Sequence, residues 1–332
     1  MNHHSLRTLL CQLGNAIRDA VIAGRSASTV DQLCQVAHES TADTIYAIDK
    51  ISEEAITQWF VKNWPADQPV ELVLEGVEDD APLCFPIGTH PADTKWKCII
   101  DPIDGTRGIM YDKRSAWALA GIAPQLGPTT ALSDIVAAAM TEIPTSKQWR
   151  ADQLSAARGD GVVAEAVNVL DQSRSPLDIQ PSKATDFRHG FASLAKFFPE
   201  GRTLISQIEE QAWDDIVGLG STTSPTIFDD QYISTGGQFY ELLMGHDRFI
   251  GDIRPIVYAC LDLESSLVCH PYDLATALLL TEAGITYETP FGDFPDSPLD
   301  TTSGVSWLAF ANDELAAIAR PVFTKAIARM VR

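Results

Sequence analysis

The sequence predicts a mixed α/β fold, and two observations support this prediction. Segments with the apolar spacing of amphipathic helices alternate with short apolar runs of strand length along the chain. The chain has 332 residues, of which 45% are hydrophobic, so it is long enough to bury a large core or to form two lobes. The sequence contains no internal repeat and no low-complexity tract.

The N-terminal third is predicted to be helical before the first strands begin. Three helical patterns occupy residues 6–24, 28–40 and 51–63. The first pattern places apolar side chains on one face, namely Leu6, Leu9, Leu10, Leu13, Ile17 and Val21. Four apolar segments of strand length follow, at residues 70–75, 96–100, 116–122 and 132–141.

The second half of the chain continues the alternation. Residues 156–161 have the composition of a hairpin turn, and residues 189–213 are predicted to form a surface helix. A helix is expected to begin at Ser234, and another at Asp273, which stands before an apolar run that ends at a glycine. The last elements are a strand at residues 305–310 and a helix at residues 313–330.

The most informative stretch is Asp101-Pro102-Ile103-Asp104-Gly105-Thr106, which follows an apolar strand and turns at the proline. Two carboxylates three residues apart on such a turn can point to one place, and Mg²⁺ prefers oxygen ligands. Free N–H groups at the start of a helix, here those of Gly105 and Thr106, suit a phosphate. Asp-Pro and Asp-Gly are also common turn-forming pairs. The hexapeptide alone is therefore compatible with a metal-assisted phosphate site or with a plain turn.

Three further carboxylates stand where a metal site needs them. Glu75 ends the strand at residues 70–75, Asp273 opens a helical stretch, and Asp49 lies six residues after Asp43. Each also has a simpler interpretation, because an Asp before a helix is often only an N-cap and a strand-end Glu is often only solvated. These three carboxylates and the hexapeptide gain weight together, because they follow one another in a recognisable order.

This order resembles the inositol monophosphatase family, within the superfamily of Mg²⁺-dependent, lithium-sensitive phosphatases. The family motif Asp-Pro-Ile-Asp-Gly-Thr stands unchanged at residues 101–106. An acidic strand end matches residues 74–76, and a later Trp-Asp-x-Ala-Ala motif with Glu-Ala-Gly-Gly matches residues 272–276 and 282–285. An early Asp-x5-Asp element matches residues 43–49. The resemblance covers about residues 40 to 285, which is most of the chain.

The resemblance implies roles for particular residues. Glu75, Asp101, the carbonyl of Ile103, Asp104 and Asp273 would hold Mg²⁺, with two or three ions in the site. Glu78 is the alternative to Glu75, because residues 76–79 can also be aligned with the acidic motif. Thr106, oriented by Asp49, and Glu75 would position and deprotonate the attacking water. The substrate-binding residues would be Gly105, Thr106, Arg107 and Ser234.

The resemblance also implies a fold and an activity. The fold would be a layered αβαβα sandwich, with an N-terminal α+β lobe at residues 1–165 and a C-terminal α/β lobe at residues 166–332. The activity would be hydrolysis of a small phosphate ester, first of all an inositol monophosphate. A 3'(2'),5'-bisphosphate nucleotide or a sugar (bis)phosphate is the alternative substrate, and a non-catalytic metal-binding relative is the alternative function. Family members are commonly dimers, so a homodimer is compatible with the resemblance.

Departures from the family pattern concern the substrate more than the metals. The family's Trp is Tyr272 here, and the residues after Thr106 differ from the usual family sequence. The acidic residue that meets sugar hydroxyls in inositol phosphatases corresponds to Ser266, with Glu264 nearby. The pocket for the leaving group is therefore expected to depend on residues 107–115 and 150–270.

Charge and composition exclude several classes of function. The formal net charge of −21 argues against binding nucleic acid or an anionic membrane through bulk charge. A phosphate substrate is repelled by the whole protein, so Mg²⁺ and the nearby cations Arg107, Lys113 and Arg114 are expected to offset that charge. No apolar run is long enough for a membrane span, and the six dispersed cysteines argue against a zinc site. These features predict a cytoplasmic enzyme with free thiols.

Overall fold

Two β-sheets organise the chain in the computed structural model, which describes residues 1–39, 44–75, 82–221, 223–263 and 267–331. The first sheet has eight strands, in the spatial order β10-β9-β8-β7-β6-β5-β3-β4. Its strands are β3 (Val70–Leu74), β4 (Leu83–Phe85), β5 (Trp96–Asp104), β6 (Ala116–Pro124), β7 (Ala137–Ile143), β8 (Arg150–Ala157), β9 (Val162–Asn168) and β10 (Arg174–Pro176). Neighbouring strands are antiparallel, except that β3 and β5 run parallel.

The second sheet has five strands, in the order β12-β11-β13-β15-β14. These strands are β11 (Gly190–Leu194), β12 (Ile227–Phe228), β13 (Asp247–Asp252), β14 (Thr286–Glu288) and β15 (Trp307–Phe310). Strand β11 runs parallel to both of its neighbours, whereas β15 is antiparallel to β13 and β14. A separate antiparallel pair is formed by β1 (Val36–Glu39) and β2 (Thr44–Tyr46).

Helices form three layers around the two sheets. The helices are α1 (His3–Ala27), α2 (Val30–Leu33), α3 (Ala47–Asn63), α4 (Thr106–Met110), α5 (Arg202–Val217), α6 (Thr235–Leu243), α7 (Arg254–Cys260), α8 (Leu278–Glu282) and α9 (Asp313–Met330). Helices α1 and α3 pack on the outer face of the first sheet, α6 and α8 lie between the sheets, and α5 and α9 cover the second sheet. The expected αβαβα sandwich is therefore confirmed.

The core is divided by the first sheet. The apolar face of α1, including Leu6, Leu13 and Val21, packs with α3 against one side of that sheet. The other side joins α6, α8 and the second sheet in a larger core, in which Trp117 and Trp307 are almost completely buried. Because burial of apolar surface is the main stabilising term, these two cores fix where the ends of the central strands lie. Within the described residues, no helix is both long and apolar enough to cross a bilayer.

Two of the predicted helices are wrong in part. Of residues 28–40, the structure describes residues 28–39, which form the single helical turn α2 and then β1, whose backbone pairs with β2. Residues 189–213 contain strand β11 before α5 begins at Arg202. A strand of four or five residues shows little periodicity of its own, so it is easily included in a neighbouring helical pattern. Gly201, with φ of +65°, separates the segment after β11 from the start of α5.

Other boundaries differ by a few residues. The strand predicted at residues 132–141 begins at Ala137, after a short 3₁₀ turn at Leu132–Asp134. The helix predicted to begin at Asp273 starts its regular α-helical part only at Leu278. The division of the chain into two lobes at residue 165 stays a prediction.

Candidate functional site

A bulge in β5 brings Asp101 and Asp104 to the same side of the sheet. Residues three apart on a regular strand point to opposite faces, because side chains alternate. Here Asp101 pairs with Leu119 and Asp104 pairs with Trp117, so three steps on β5 match two steps on β6. One extra residue in β5 reverses the alternation. The N–H of Ile103 donates to Asp101 Oδ1 at 3.0 Å, which closes the turn at the proline.

The start of α6 holds the Asp104 carboxylate. Its Oδ2 atom accepts hydrogen bonds from the hydroxyl of Ser234, at 2.9 Å, and from the N–H of Gly236. Ser234 is also the N-cap of α6, because its hydroxyl accepts from the N–H of Gly237 at 2.9 Å. A Cβ at position 236 would lie 2.6 Å from a methyl of Leu119. The close approach of α6 to β6 therefore needs a glycine at this position.

A series of tight turns places Asp273 opposite these two carboxylates. The N–H of Asp273 donates to the carbonyl of His270, and the N–H of His270 donates back to Asp273 Oδ2 at 2.6 Å. The following amides also bond three residues back, from Leu274 to Pro271 and from Ala275 to Tyr272. The chain thus enters α8 through 3₁₀-type turns, and these turns aim Asp273 at the β5 bulge.

The three aspartates form one acidic cluster. One carboxylate oxygen from each of Asp101, Asp104 and Asp273 lies within 4.8 Å of the others. Burial, and then the charges of Glu75, Asp104 and Asp273, raise the pKa of Asp101 well above its usual value. Glu75 also shares a side-chain hydrogen bond with Asp101. The structure therefore brings all four predicted carboxylate ligands together.

The charge balance of the cluster explains why it suits a divalent cation. Burial raises the pKa of Asp104 to about 6, against the lowering effect of its hydrogen bonds and of Arg254. Burial and the charge of Asp104 raise the pKa of Asp273. Such repulsion destabilises the ionised cluster, and a cation that accepts oxygen ligands relieves it. A set of carboxylate oxygens without nitrogen or sulfur fits Mg²⁺ better than zinc.

Thr106 lies at the predicted position beside this cluster. Its hydroxyl lies 2.8 Å from the carbonyl oxygen of Ile103 and 3.3 Å from Asp49 Oδ1. Asp49 Oδ2 accepts from the N–H of Tyr46 at 2.7 Å, which fixes the carboxylate at the first turn of α3. Gly105 has φ of +95°, and a Cβ there would approach Ser234 to 3.1 Å. The glycine of the hexapeptide is therefore required by backbone conformation and by space.

One pocket contains all of these groups except Asp49. Its lining comprises Glu75, Asp101, Ile103, Asp104, Gly105, Thr106, Arg107, Phe197, Phe198, Ile233, Ser234, Thr235, Arg254, Leu267, Val268, Tyr272 and Asp273. Nine of the ten predicted site residues thus line it, and Asp49 reaches it through Thr106. Arg114 and Lys113 do not line it. Arg114 instead pairs with Asp230 at 2.9 Å and covers the ring of Tyr232.

Sequence reasoning missed one wall of this pocket. Arg254 begins α7 and its partner Asp252 ends β13, whereas Phe197 and Phe198 come from the loop before α5. The sequence carries a signal for the first pair, since an apolar strand ends in Asp-x-Arg at residues 252–254. The two phenylalanines were missed because residues 189–213 were predicted to form one surface helix. Four further residues that the sequence suggested lie outside the described residues, namely Asp43, Glu78, Glu264 and Ser266.

Comparison with known proteins supports the fold. No protein-family model and no curated protein matches this chain. The chain is similar in structure to the extragenic suppressor protein SuhB from Bartonella henselae, with a TM-score of 0.66 over 97% of this chain and 98% of that chain. It is similar to fructose-1,6-bisphosphatase from Leishmania major in its holo form, with a TM-score of 0.65 over 97% and 94% of the two chains.

A third similar structure is an inositol monophosphatase-fructose 1,6-bisphosphatase gene product, with a TM-score of 0.62 over 94% of this chain and 98% of that chain. Each of the three is 14% identical to this chain in sequence. Likeness at this level concerns the fold and extends over nearly the full length of all the chains. The chain therefore shares the layered α/β fold of these three solved structures.

Proposed function

We propose that this protein is a Mg²⁺-dependent phosphomonoesterase that hydrolyses a small phosphate ester by attack of water. The observation that carries the proposal is the acidic cluster of Asp101, Asp104 and Asp273, whose carboxylate oxygens lie within 4.8 Å of one another in a pocket that Thr106 also lines. The superfamily fold supports the same reaction class, although a fold alone does not determine function.

Mg²⁺ would be held by Glu75, Asp101, the carbonyl of Ile103, Asp104 and Asp273, with two or three ions as the resemblance implies. The bound ions would neutralise phosphate charge and make water easier to deprotonate. The protein's own contribution is to fix the ligands before substrate arrives. The β5 bulge aims two of the carboxylates, the start of α6 holds Asp104, and the turn at His270 holds Asp273.

Thr106, Asp49 and Glu75 handle the proton of the attacking water in this proposal. The Thr106 hydroxyl has one hydrogen, which it donates to Ile103 O or to Asp49 Oδ1, so its oxygen remains an acceptor for a proton of water. Asp49 keeps this hydroxyl in place from α3. Glu75, which interacts with Asp101, would take the proton. Positioning of this kind contributes much of the catalysis in phosphoryl transfer.

The phosphate would be received at the hexapeptide end of the pocket. The amides of Gly105 and Thr106 are proposed as donors to its oxygens, and Arg107 supplies a positive charge beside them. Ser234 remains a proposed substrate-binding residue, although its hydroxyl already donates to Asp104 and accepts from Gly237. An inositol monophosphate is the first substrate that the resemblance implies, and a bisphosphate nucleotide or sugar (bis)phosphate is the alternative. Lithium sensitivity, a homodimer and a cytoplasmic location stay predictions.

Phosphate release from a substrate panel tests this function. The panel contains inositol 1-phosphate, adenosine 3',5'-bisphosphate, fructose 1,6-bisphosphate and phenyl phosphate, each with Mg²⁺, with EDTA, and with Mg²⁺ plus lithium. We expect release that depends on Mg²⁺ and stops in EDTA. Release that is unchanged by EDTA, or no release from any ester by folded protein that binds Mg²⁺, would contradict the proposal.

A further inference from the structure

Arg254 is a buried cation in the wall of the pocket that faces the second sheet. Its side chain is only 7% exposed, yet it lines the same pocket as the carboxylate cluster. It stands directly after β13, at the first residue of α7. A buried guanidinium is unfavourable unless it is paired and hydrogen-bonded, so its position must be held by specific partners.

Three sets of contacts fix the Arg254 guanidinium. Asp252 accepts hydrogen bonds from Nε, at 3.0 Å to Oδ1 and 2.9 Å to Oδ2, and from Nη2 to Oδ2, so that both carboxylate oxygens face the guanidinium as a fork. The carbonyl of Leu267 accepts from Nη1 at 3.0 Å. The rings of Phe197 and Phe198 lie 4.9 and 5.4 Å from the guanidinium carbon. A guanidinium held between two aromatic rings and a carboxylate has a fixed orientation, which favours binding of an anion.

These contacts leave part of the guanidinium for a ligand. Arginine has five N–H donors, and Asp252 and Leu267 engage one on each of its three nitrogens. Among the described residues nothing accepts from the remaining N–H of Nη1 or from that of Nη2. The two remaining donors belong to a side chain that is more than nine-tenths buried and lines an open pocket.

The location of Arg254 does not help the pocket to hold a cation. Its charge lowers the pKa of both Asp104 and Asp273, so it is close enough to act on the cluster. A positive charge at that range opposes the binding of Mg²⁺ instead of assisting it. Arg107 is the other cationic side chain among the described residues that line the pocket, and it lies at the end formed by residues 101–106. The role that fits Arg254 is therefore attraction of an anionic group away from the phosphate that is hydrolysed.

The loop that carries Phe197 and Phe198 makes this wall apolar. Arg202 fixes the loop, because its guanidinium donates to the carbonyls of Lys196 at 3.1 Å and Phe197 at 2.8 Å. A hydroxyl-rich alcohol needs a hydrogen-bond partner for each group that it buries. Among the described side chains of this wall, Arg254 is the charged hydrogen-bond donor, and its neighbours Phe197 and Phe198 are apolar.

We propose that Arg254 determines substrate specificity by binding an anionic group, a second phosphate or a carboxylate, carried by the alcohol part of the phosphate ester. This inference rests on the proposed phosphomonoesterase function and names the class of ester that the site prefers. The anion would take the two N–H donors that no described residue engages, and the two phenylalanine rings would contact the apolar part of the alcohol. Esters with a second anionic group should therefore be preferred over inositol monophosphate.

The first test compares matched esters with the wild-type protein and Mg²⁺. One pair is fructose 1-phosphate and fructose 1,6-bisphosphate, which differ by a second phosphate. The other pair is phenyl phosphate and carboxyphenyl phosphate, which differ by a carboxylate. We expect kcat/KM to be at least about tenfold higher for the member with the second anion in one pair or both, mainly through KM. The pair that shows the preference identifies the type of anion, and equal values in both pairs would overturn the inference.

The second test changes Arg254 itself. We expect Arg254→Gln to reduce the preference for the second anion by about tenfold or more, and Arg254→Lys to retain part of it, because lysine keeps the charge but not the fork. Arg248→Gln changes an arginine of β13 that lies outside the pocket and is paired with Asp186; it is the matched control and should keep the full preference. An unchanged preference in Arg254→Gln would overturn the inference.

Two measurements separate substrate binding from a structural role. Calorimetric Mg²⁺ affinity should be equal or higher in Arg254→Gln, because a repelling charge is removed; weaker binding would show that Arg254 acts by organising the carboxylates. Where Arg254→Gln does not fold because Asp252 is left unpaired, Arg254→Gln with Asp252→Asn removes both charges. Activity on phenyl phosphate in the wild-type protein reports on the proposed function itself, so its failure is distinguishable from a missing preference.

Discussion

Ser234 and Asp104 are 130 residues apart in sequence, and the serine hydroxyl donates to the aspartate carboxylate at 2.9 Å. The same hydroxyl caps α6 by accepting from Gly237. One side chain thus joins the helix between the two sheets to the bulged strand that carries the acidic cluster. The start of α6 is consequently part of the support of the metal site.

Replacing Ser234 should weaken both the helix and the site. We expect Ser234→Ala to lower the free energy of unfolding by about 1 kcal/mol through the lost N-cap. It should also reduce Mg²⁺ affinity about tenfold, because Asp104 loses a partner that orients it. Chemical denaturation and calorimetric Mg²⁺ titration measure the two effects. Asn2→Ala removes the N-cap of α1 and should change stability alone; equal Mg²⁺ affinity in both variants would contradict this account.

Gly236 should tolerate no side chain. A Cβ there would lie 2.6 Å from Leu119 Cδ2 and 2.9 Å from Trp117 Cβ, so Gly236→Ala should push α6 away from β6. We expect a loss of about 1–3 kcal/mol in unfolding free energy and weaker Mg²⁺ binding. In Gly108→Ala the new Cβ would be 3.6 Å from its nearest neighbour, which makes it the matched control. Wild-type stability of Gly236→Ala in urea denaturation would argue against the close packing.

The hydroxyl of Thr106 should matter more for turnover than for binding. Thr106→Val has a similar shape without the hydroxyl, and we expect kcat to fall about 100-fold or more with little change in KM. Thr106→Ser keeps the hydroxyl and should retain most of the activity. Asp49→Asn should give an intermediate loss, because Asp49 acts through Thr106. Steady-state kinetics with Mg²⁺ measure all three, and a normal kcat in Thr106→Val would remove Thr106 from the mechanism.

Asp247 should make stability depend on pH. Burial, followed by the charges of Glu241 and Asp230, raises its pKa to about 7, although His246 and Arg114 act in the opposite direction. The unfolded chain releases this proton near pH 4. Between about pH 4 and 7 the folded state binds more protons, so this group's contribution to stability falls as the pH rises and is lost above about pH 7.

Asp247→Asn removes that titration. Relative to wild type, the variant should become more stable as the pH rises from 4 to 8, by on the order of 4 kcal/mol for a shift of this size. Urea denaturation at several pH values measures the difference in unfolding free energy between the two proteins. Groups that titrate equally in both proteins cancel in this difference. A difference that does not vary with pH would show that the Asp247 carboxyl ionises normally in the folded protein.

The sequence indicated which residues would lie close together, because three of them are neighbours along the chain. Asp101, Asp104 and Thr106 come from one hexapeptide, and the structure shows how the bulge orients them. Glu75 and Asp273 were predicted from the ends of apolar runs, and the structure brings both to the cluster. Their roles as ligands and catalysts stay predictions. Local sequence thus indicated which side chains meet at the ends of the central strands.

The parts of the fold and of the pocket that the sequence did not predict depend on contacts between residues that are far apart along the chain. Strand β11 lies between β12 and β13, and its five residues show no strand period of their own, although Pro199 and Gly201 mark a break before α5. Arg254 acquires its position from Asp252, Leu267 and two rings of a distant loop. Contacts of this kind are properties of the folded chain, so the wall that we assign to substrate specificity emerged only from the structure.

The central claim, that the acidic cluster is a catalytic Mg²⁺ site, is tested most directly by phosphate release from Asp104→Asn. The amide keeps the size of the carboxylate and can still accept from Ser234 and Gly236, so the protein should stay folded by circular dichroism. Asp247→Asn, a buried carboxylate outside the pocket, serves as the control and should stay active. We predict a loss of at least about 1000-fold in Mg²⁺-dependent turnover for Asp104→Asn. Near-normal turnover in folded Asp104→Asn would contradict the assignment of the site.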